Sequence, residues 1–292
     1  MIIVDLSQVM ISNIMMQLGN HTNSAVEENM VRHMVLNSLR SYKAKYGIEY
    51  GEMIIACDNH NYWRKQLFPY YKANRKKGIE KSELNWKQIF ECLNKIRQEL
   101  KDHFAYRIIE IPTAEADDVI ASLCHKFGTL EENMAFEQIE KILILSGDHD
   151  FIQLHKYKNV SQYDPVRKKK ITHKNPTEYL REHILRGDVG DGVPNFLSPD
   201  NCFVIGERQK PISAKKLETW LKQDPKMFCT EVMLRNYKRN EQLINLSEIP
   251  KDIYNSVLTS YEEQANKKPK DLMNYFIVNK LKILMESINE FA

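Results

Sequence analysis

Carboxylates recur at fixed places relative to short apolar runs. Asp5 directly follows Ile2-Ile3-Val4, and Asp58 follows Ile54-Ile55-Ala56-Cys57. Asp148 and Asp150 follow residues 142–145 through Ser146-Gly147, and Glu115, Asp117 and Asp118 come just after residues 108–111. Two more acids, Asp188 and Asp191, sit in the loop Gly187-Asp188-Val189-Gly190-Asp191-Gly192. A lone acid after a strand is more often a turn or cap residue than a ligand, and a helix dipole favours Glu-Ala-Asp-Asp at a helix start without any ion. The joint placement is more specific. If the apolar runs are parallel strands, these acids meet at one rim and repel one another unless cations lie between them. Hard oxygen donors suit Mg²⁺, with Mn²⁺ able to substitute. Two such ions about 3.5–4 Å apart would clamp the attacking and leaving oxygens of a phosphodiester, so no nucleophilic side chain is needed.

A basic and aromatic stretch follows the Asp58 motif. It runs Tyr62-Trp63-Arg64-Lys65-Gln66-Leu67-Phe68-Pro69-Tyr70-Tyr71-Lys72-Ala73-Asn74-Arg75-Lys76-Lys77, and seven Lys or Arg residues lie from Arg64 to Lys81. Trp63 and Tyr71 are candidates for stacking on bases, and Lys65, Arg75, Lys76 and Lys77 for meeting phosphates. The competing reading is a solvated loop whose aromatics pack on the core. Arg64 and Lys72 are eight residues apart, a spacing that would aim both at the acids on one helix, although Pro69 argues against an unbroken helix. A second basic run, Arg167-Lys168-Lys169-Lys170, makes Lys168 and Lys169 further candidates for the nucleic-acid surface.

The elements that must hold these residues are an alternation of strands and helices. Residues 2–4, 53–57, 107–111 and 141–145 read as buried strands, with helical periodicity over 26–46 and 86–100 between them. Thr113 is expected to cap a third helix running to Phe127, with Glu115 and Asp117 in its first turn. The implied fold is α/β, with a central mostly parallel sheet and flanking helices, whose ligand site lies beyond the strands' carboxyl ends. A hairpin pairs residues 160–163 with 170–173. Beyond it the chain reads as helices over 177–185, 213–222, 225–239 and 270–288. The expected division is a catalytic domain over 1–175 and a smaller helical domain over 176–292.

Composition bounds the rest. The 292 residues are 42% hydrophobic and 28% charged, with a net charge of +3, so overall charge says nothing about nucleic acid. No apolar run approaches the ~20 residues of a membrane span. Five scattered cysteines without a C-x-x-C pair indicate neither a disulfide framework nor zinc, and suit a reducing cytoplasm. A Toprim-type nuclease or primase also uses Asp-x-Asp after a strand, but has no need of Asp5, Asp58 and the Glu115–Asp118 motif together. A dehalogenase-type phosphotransferase is opposed by Phe151-Ile152. A non-catalytic structure-specific DNA-binding protein would not need every acid.

Taken in order, these motifs resemble the 5′-nuclease (flap endonuclease) family, most closely its phage ribonuclease H branch. The matching stretches are Val4-Asp5-Leu6-Ser7-Gln8, Cys57-Asp58-Asn59, Tyr62-Trp63-Arg64 with Tyr70-Tyr71-Lys72-Ala73-Asn74-Arg75, Glu115-Ala116-Asp117-Asp118, Ser146-Gly147-Asp148-His149-Asp150-Phe151 and Leu185-Arg186-Gly187-Asp188-Val189-Gly190-Asp191. The resemblance implies that Asp5, Asp58, Asp117 and Asp148 hold a first metal, with Glu115 and Asp118 in or beside that shell. Asp150, Asp188 and Asp191 would hold a second. Arg64 and Lys72 match the residues that contact the scissile phosphate, and residues 62–85 the arch or gateway for the 5′ strand. The loop with Gly190 and Gly192 would belong to a helix-hairpin motif gripping duplex phosphates. Here the chain departs from many relatives: Gly190 stands in place of Ser, and residues 195–211 lack a G-[VI]-G turn. The implied activity is a Mg²⁺-dependent 5′→3′ exonuclease on RNA–DNA hybrid and duplex DNA with flap endonuclease activity, removing primers in phage replication. The implied setting is a monomer in the bacterial host cytoplasm, acting on branched or nicked DNA beside a single-strand-binding protein and a sliding clamp.

Overall fold

Apolar residues on both faces of a strand require a layer of helices on each side. β1 (Ile2–Asp5), β2 (Met53–Ala56), β3 (Arg107–Ile109) and β4 (Ile142–Leu145) are such strands. Along β1, Ile2 and Val4 enter one core cluster and Ile3 the other. The computed structural model describes residues 1–18, 26–82, 84–130 and 140–291, and it joins these strands to β5 (Val160–Asp164) and β6 (Lys169–Ile171) in one sheet. The order is β3-β2-β1-β4-β5-β6, parallel throughout except for the antiparallel β5–β6 pair. This is the mostly parallel α/β sheet expected. β5 also extends it as a fifth parallel strand, which the hairpin pattern alone did not reveal.

The order reverses between β1 and β4, so the crevice beyond their carboxyl ends is where such a sheet binds ligands. Helices Leu6–Leu18, Glu28–Tyr50 and Trp86–His103 cover one face. Ala116–Phe127 and Lys251–Glu263 cover the other. A third apolar cluster joins Phe68 and Tyr71 to Ile184, Leu185, Phe196 and Leu243, and so fastens the segment after β2 to helices Pro176–Arg186 and Glu231–Ile244.

Several helix bounds differ from the periodic pattern, each for a local reason. Thr113 is not a cap: its backbone is left-handed (φ 64°), its carbonyl accepts from the Trp63 amide, and Glu115 takes the N-cap position. The expected helix over 225–239 is two, Pro225–Phe228 and Glu231–Ile244, because Thr230 caps the second by accepting from the Met233 amide. The 270–288 pattern splits into Leu272–Val278, Lys282–Met285 and a 3₁₀ turn, with left-handed Lys280 at the first break. Lys251–Glu263 was not anticipated, since its buried stripe is only Ile253 and Val257. The chain beyond residue 245 returns to the sheet layers. Tyr275, Phe276 and Phe291 pack around Phe104, and the Tyr275 hydroxyl donates to Glu99, which also pairs with the buried Arg32.

Candidate active site

Each strand end fixes its acid through backbone and hydroxyl donors. Asp5 accepts from the Gln8 amide (3.1 Å) at the start of helix Leu6–Leu18 and from Ser146 Oγ (3.1 Å) after β4. Asp58 accepts from Ser7 Oγ (2.5 Å) and from the Ala116 amide (2.9 Å), the first residue of helix Ala116–Phe127. Asp148 caps the following 3₁₀ helix by accepting from the Asp150 amide (2.9 Å), and Gln8 Oε1 accepts from the Gly147 amide (2.6 Å), tying β1's end to β4's. Ser7, Gln8 and Ser146 thus orient the acids, a role that residue type alone did not signal.

The electrostatics show how little cancels these charges. Burial, then the neighbouring Asp58, pushes the Asp5 carboxyl up to about 7. Burial, then Asp148 and Glu115, raises Asp117 well above the usual range, with Lys72 pulling the other way. Asp5, Asp58, Asp117 and Asp148 are therefore near enough to perturb one another, although their oxygens are more widely spread than a closed ligand set. Such a spread fits an ion that keeps several of its waters between itself and the carboxylates. The donors here are all oxygen, and carboxylates forced toward protonation lack a counter-charge, so these residues fit a hard divalent cation.

Glu115 and Asp118 meet a different fate. Glu115 and Asp118 form a reciprocal capping box at the start of helix Ala116–Phe127. Arg64, 2% exposed, donates to Glu115 Oε2 (2.8 Å), to both Asp118 oxygens (2.8 and 3.0 Å) and to the Leu243 carbonyl (2.9 Å). Trp63 Nε1 adds a bond to Asp118 Oδ2 (3.1 Å). Asp118 is buried with both oxygens accepting from Arg64, so in this conformation it stands beside the metal shell and not in it. Arg64 is likewise committed to internal carboxylates and is turned away from any phosphate in this conformation. Trp63 and Tyr71 are buried and offer no face to a base.

Lys72 does reach the acids. Helices Trp63–Leu67 and Ala73–Lys81 are separate, and Lys72 sits in the left-handed region (φ 56°) just before the second, its amide donating to the Asp191 carbonyl (2.7 Å). Its ammonium contacts Glu115 and lies 3.5 Å from Asp191. Burial opposes its charge, but Asp191 and Glu115 overcome that and hold the ammonium's pKa above its ordinary value. Tyr71 Oη bridges Glu115 (3.0 Å) and Asp191 (2.7 Å), and Arg75 pairs with Asp191 (2.5 Å). Residues 70–75 thus rest on the Asp188–Gly192 loop, with Asn74 donating to the Val189 carbonyl (2.7 Å).

That loop builds a second acidic group. The Asp191 amide donates to Asp188 (3.0 Å) and the Gly192 amide to the Val189 carbonyl (3.2 Å). Gly192 has φ 71° and is buried, with an added Cβ meeting Asn74 and the Tyr70 carbonyl at 3.1 Å, so in this conformation its amide is not free for phosphate. Gly190 is exposed. Across the loop, His183 lies 3.5 Å from both Asp150 and Asp188. Burial pushes Asp150 up to about 8, with Asp148, Asp188 and Asp191 adding to it against His183. Burial also opposes charge on Asp188, yet His183 holds that carboxyl below its usual range. His183 was missed by sequence reasoning; its one signal was an imidazole in the last turn of the helix preceding Gly187-Asp188.

Other expected residues lie on the rim or outside it. Lys65, Lys168 and Lys169 are exposed, and the β5–β6 hairpin carrying the latter two turns just after Asp164, the last residue of β5, which packs against Gly147. Lys76 and Lys77 belong to helix Ala73–Lys81, but their side chains lie outside the described residues.

Comparisons with known proteins match both halves of this arrangement. The 5′-3′ exonuclease N-terminal resolvase-like domain matches residues 1–183, and the C-terminal domain of T4 RNase H matches residues 178–291. The ribonuclease H of Enterobacteria phage T4 is 33% identical over 299 residues, spanning 99% of this chain and 95% of that protein. Among solved structures, a phage T5 protein co-crystallised with metal ions superposes with a TM-score of 0.59 at 16% identity, covering 91% of this chain and 99% of that one. A T5 flap endonuclease variant with DNA and metal ions gives 0.62 at 15% identity, covering 90% and 98%. At those identities the two structures show a shared fold.

Proposed function

The chain belongs to the 5′-3′ exonuclease family and is a nuclease, and from that premise we propose that it hydrolyses phosphodiesters near 5′ ends of flapped duplex DNA and of RNA–DNA hybrids. The observation that carries this reading is the convergence of Asp5, Asp58, Asp117 and Asp148 at adjoining strand ends with almost no protein cation among them. These four would hold one Mg²⁺, and Asp150, Asp188 and Asp191 a second, with Mn²⁺ able to replace it. Bound there, a divalent ion would supply Lewis-acid polarisation of the scissile phosphate. The remaining work falls to side chains. Lys72, held by Glu115 and Asp191, would place a cation where phosphate charge develops in the transition state. Arg64 would act through others, by fixing Glu115 and the start of the helix that presents Asp117.

Residues 62–85 would form the gateway for the 5′ strand, and Lys65, Arg75, Lys168 and Lys169 would meet backbone phosphates. Opening the Arg75 and Asn74 contacts would free the Gly190–Gly192 loop as the helix-hairpin grip on duplex DNA. The division into a catalytic part, 1–175, and a helical DNA-binding part, 176–292, belongs to this reading. So do a monomeric state, a cytoplasmic setting, removal of RNA primers in phage replication, and contact with a single-strand-binding protein or sliding clamp. Among the described residues no helix is long and apolar enough to cross a membrane.

The test is a gel. A 5′-flapped DNA and a 5′-RNA–DNA hybrid, both 3′-labelled, are incubated with Mg²⁺ and then with chelator. Shortened labelled products that vanish with chelator are expected. Substrates left intact in both Mg²⁺ and Mn²⁺ would overturn the reading.

A further inference from the structure

His183 lies between two carboxylates of the second acidic group. It projects from helix Pro176–Arg186, with Nδ1 3.5 Å from Asp150 and Nε2 3.5 Å from Asp188. Among the described residues, Asp150, His183 and Asp188 are the group whose ligating atoms all come within 4.8 Å of one another. The helix end fixes the backbone that carries the ring, and one aromatic neighbour packs on it. The His183 carbonyl accepts from the Gly187 amide (2.8 Å) to end the helix, and Tyr179 packs edge-on at 5.9 Å between ring centres.

We propose that His183 is a nitrogen ligand of the second divalent ion, shared with Asp150 and Asp188, and that it biases this half of the centre toward Mn²⁺ and Co²⁺ over Mg²⁺. The inference rests on the nuclease reading above and deepens it. Imidazole suits first-row transition ions, whereas Mg²⁺ prefers carboxylate, carbonyl and water oxygens. One ring nitrogen ligates, and the other is free to donate its N–H to the carboxylate on its own side, at the oxygen not given to the ion. That second bond fixes the tautomer and raises the basicity of the ligating nitrogen. The Asp188–Gly192 loop, tied to residues 72–75, brings the third donor to the same point.

The rival role is a charged imidazole that merely neutralises the two acids, and it carries the opposite sign. A counter-ion competes with metal, so its removal tightens binding; a ligand's removal weakens it. The experiment titrates the full chain, free of nucleic acid, with Mn²⁺ and with Mg²⁺ by calorimetry, as wild type, His183→Ala and His183→Gln. The Gln variant retains an amide that can donate to a carboxylate, and melting in chelator checks that each variant is folded. Loss of about tenfold or more in one Mn²⁺ affinity, with a smaller change for Mg²⁺, is expected. In the Co²⁺-loaded wild type, a paramagnetically shifted exchangeable imidazole proton should appear and be absent from His183→Gln. Equal or tighter Mn²⁺ binding in both variants would overturn the proposal. Cutting of the flapped substrate, run on the same wild-type preparation, separates the two readings. Cutting with no effect of His183 on binding removes only this ligand, whereas a wild type that neither binds ions nor cuts removes the nuclease reading with it.

Discussion

Asp117 and Asp118 are neighbours on one helix and live in opposite electrostatic worlds. Asp118 is fully buried and receives Arg64, Trp63 and the Glu115 amide. Asp117 faces Asp58 and Asp148, and its carboxyl is driven well above the usual range, mainly by burial and then by Asp148. Successive residues on a helix point about 100° apart, so one motif can serve two purposes. The paired side is a strut made from the protein's own cations. The unpaired side leaves its charge to be balanced from outside, and that is where ions and phosphate belong.

Removing the strut should have the largest effect. Arg64→Ala leaves buried Asp118 without its cation and removes one of the two cations on Glu115, and should cost about 3–5 kcal/mol in urea unfolding. Asp148→Asn, on the unpaired side, should lower single-turnover cutting by more than about 100-fold, beyond the cost typical of outer-shell changes. Its stability in chelator should hold or rise, because a like charge is gone. A loss of stability matching that of Arg64→Ala would erase the distinction between the two sides.

The same asymmetry fixes a pH dependence. Asp5 and Asp150 keep their protons in the folded chain up to about 7 and about 8, whereas the unfolded chain releases them near pH 4. Within that window the folded state binds more protons, so their stabilising contribution is complete below about pH 4 and is lost as pH rises through the folded values. The slope is at most about 1.4 kcal/mol per pH unit for each group. Melting in chelator should therefore show Asp5→Asn gaining on wild type between pH 5 and 8, with added Mg²⁺ closing the gap. A gap that stays constant with pH would refute the assignment. The smallest effect belongs to the rim. Lys168→Ala with Lys169→Ala should weaken binding of every DNA sequence alike and lower the slope of log affinity against log salt by about 2.

Much of this was legible because strands and acids are local signals. Runs such as Ile2-Ile3-Val4 and the acids directly after them announce a parallel sheet and its rim, and the structure has both. What a cation faces is not local. Arg64 looked like a phosphate contact because it matches the family's phosphate-contacting residue and stands eight residues before Lys72, but the partners that claim it lie 51, 54 and 179 residues away. Trp63 and Tyr71, interleaved with cations, suggested stacking platforms as readily as core packing, and the choice rests on tertiary neighbours, since the third core cluster that hides Tyr71 comes mostly from residues beyond 183. His183 escaped notice because a single histidine on a helix usually packs or caps, and its closeness to Asp150 is purely tertiary.

The most direct measurement compares Asp117→Asn with Asp118→Asn by Mn²⁺ titration, flap cutting and thermal melting. Asp117→Asn should lose an ion and the cutting while melting no earlier than wild type in chelator. Asp118→Asn should melt earlier and, where folded, still bind ions. Ion binding and cutting that survive in Asp117→Asn, or that fail only in folded Asp118→Asn, would contradict the assignment of charge to the two sides.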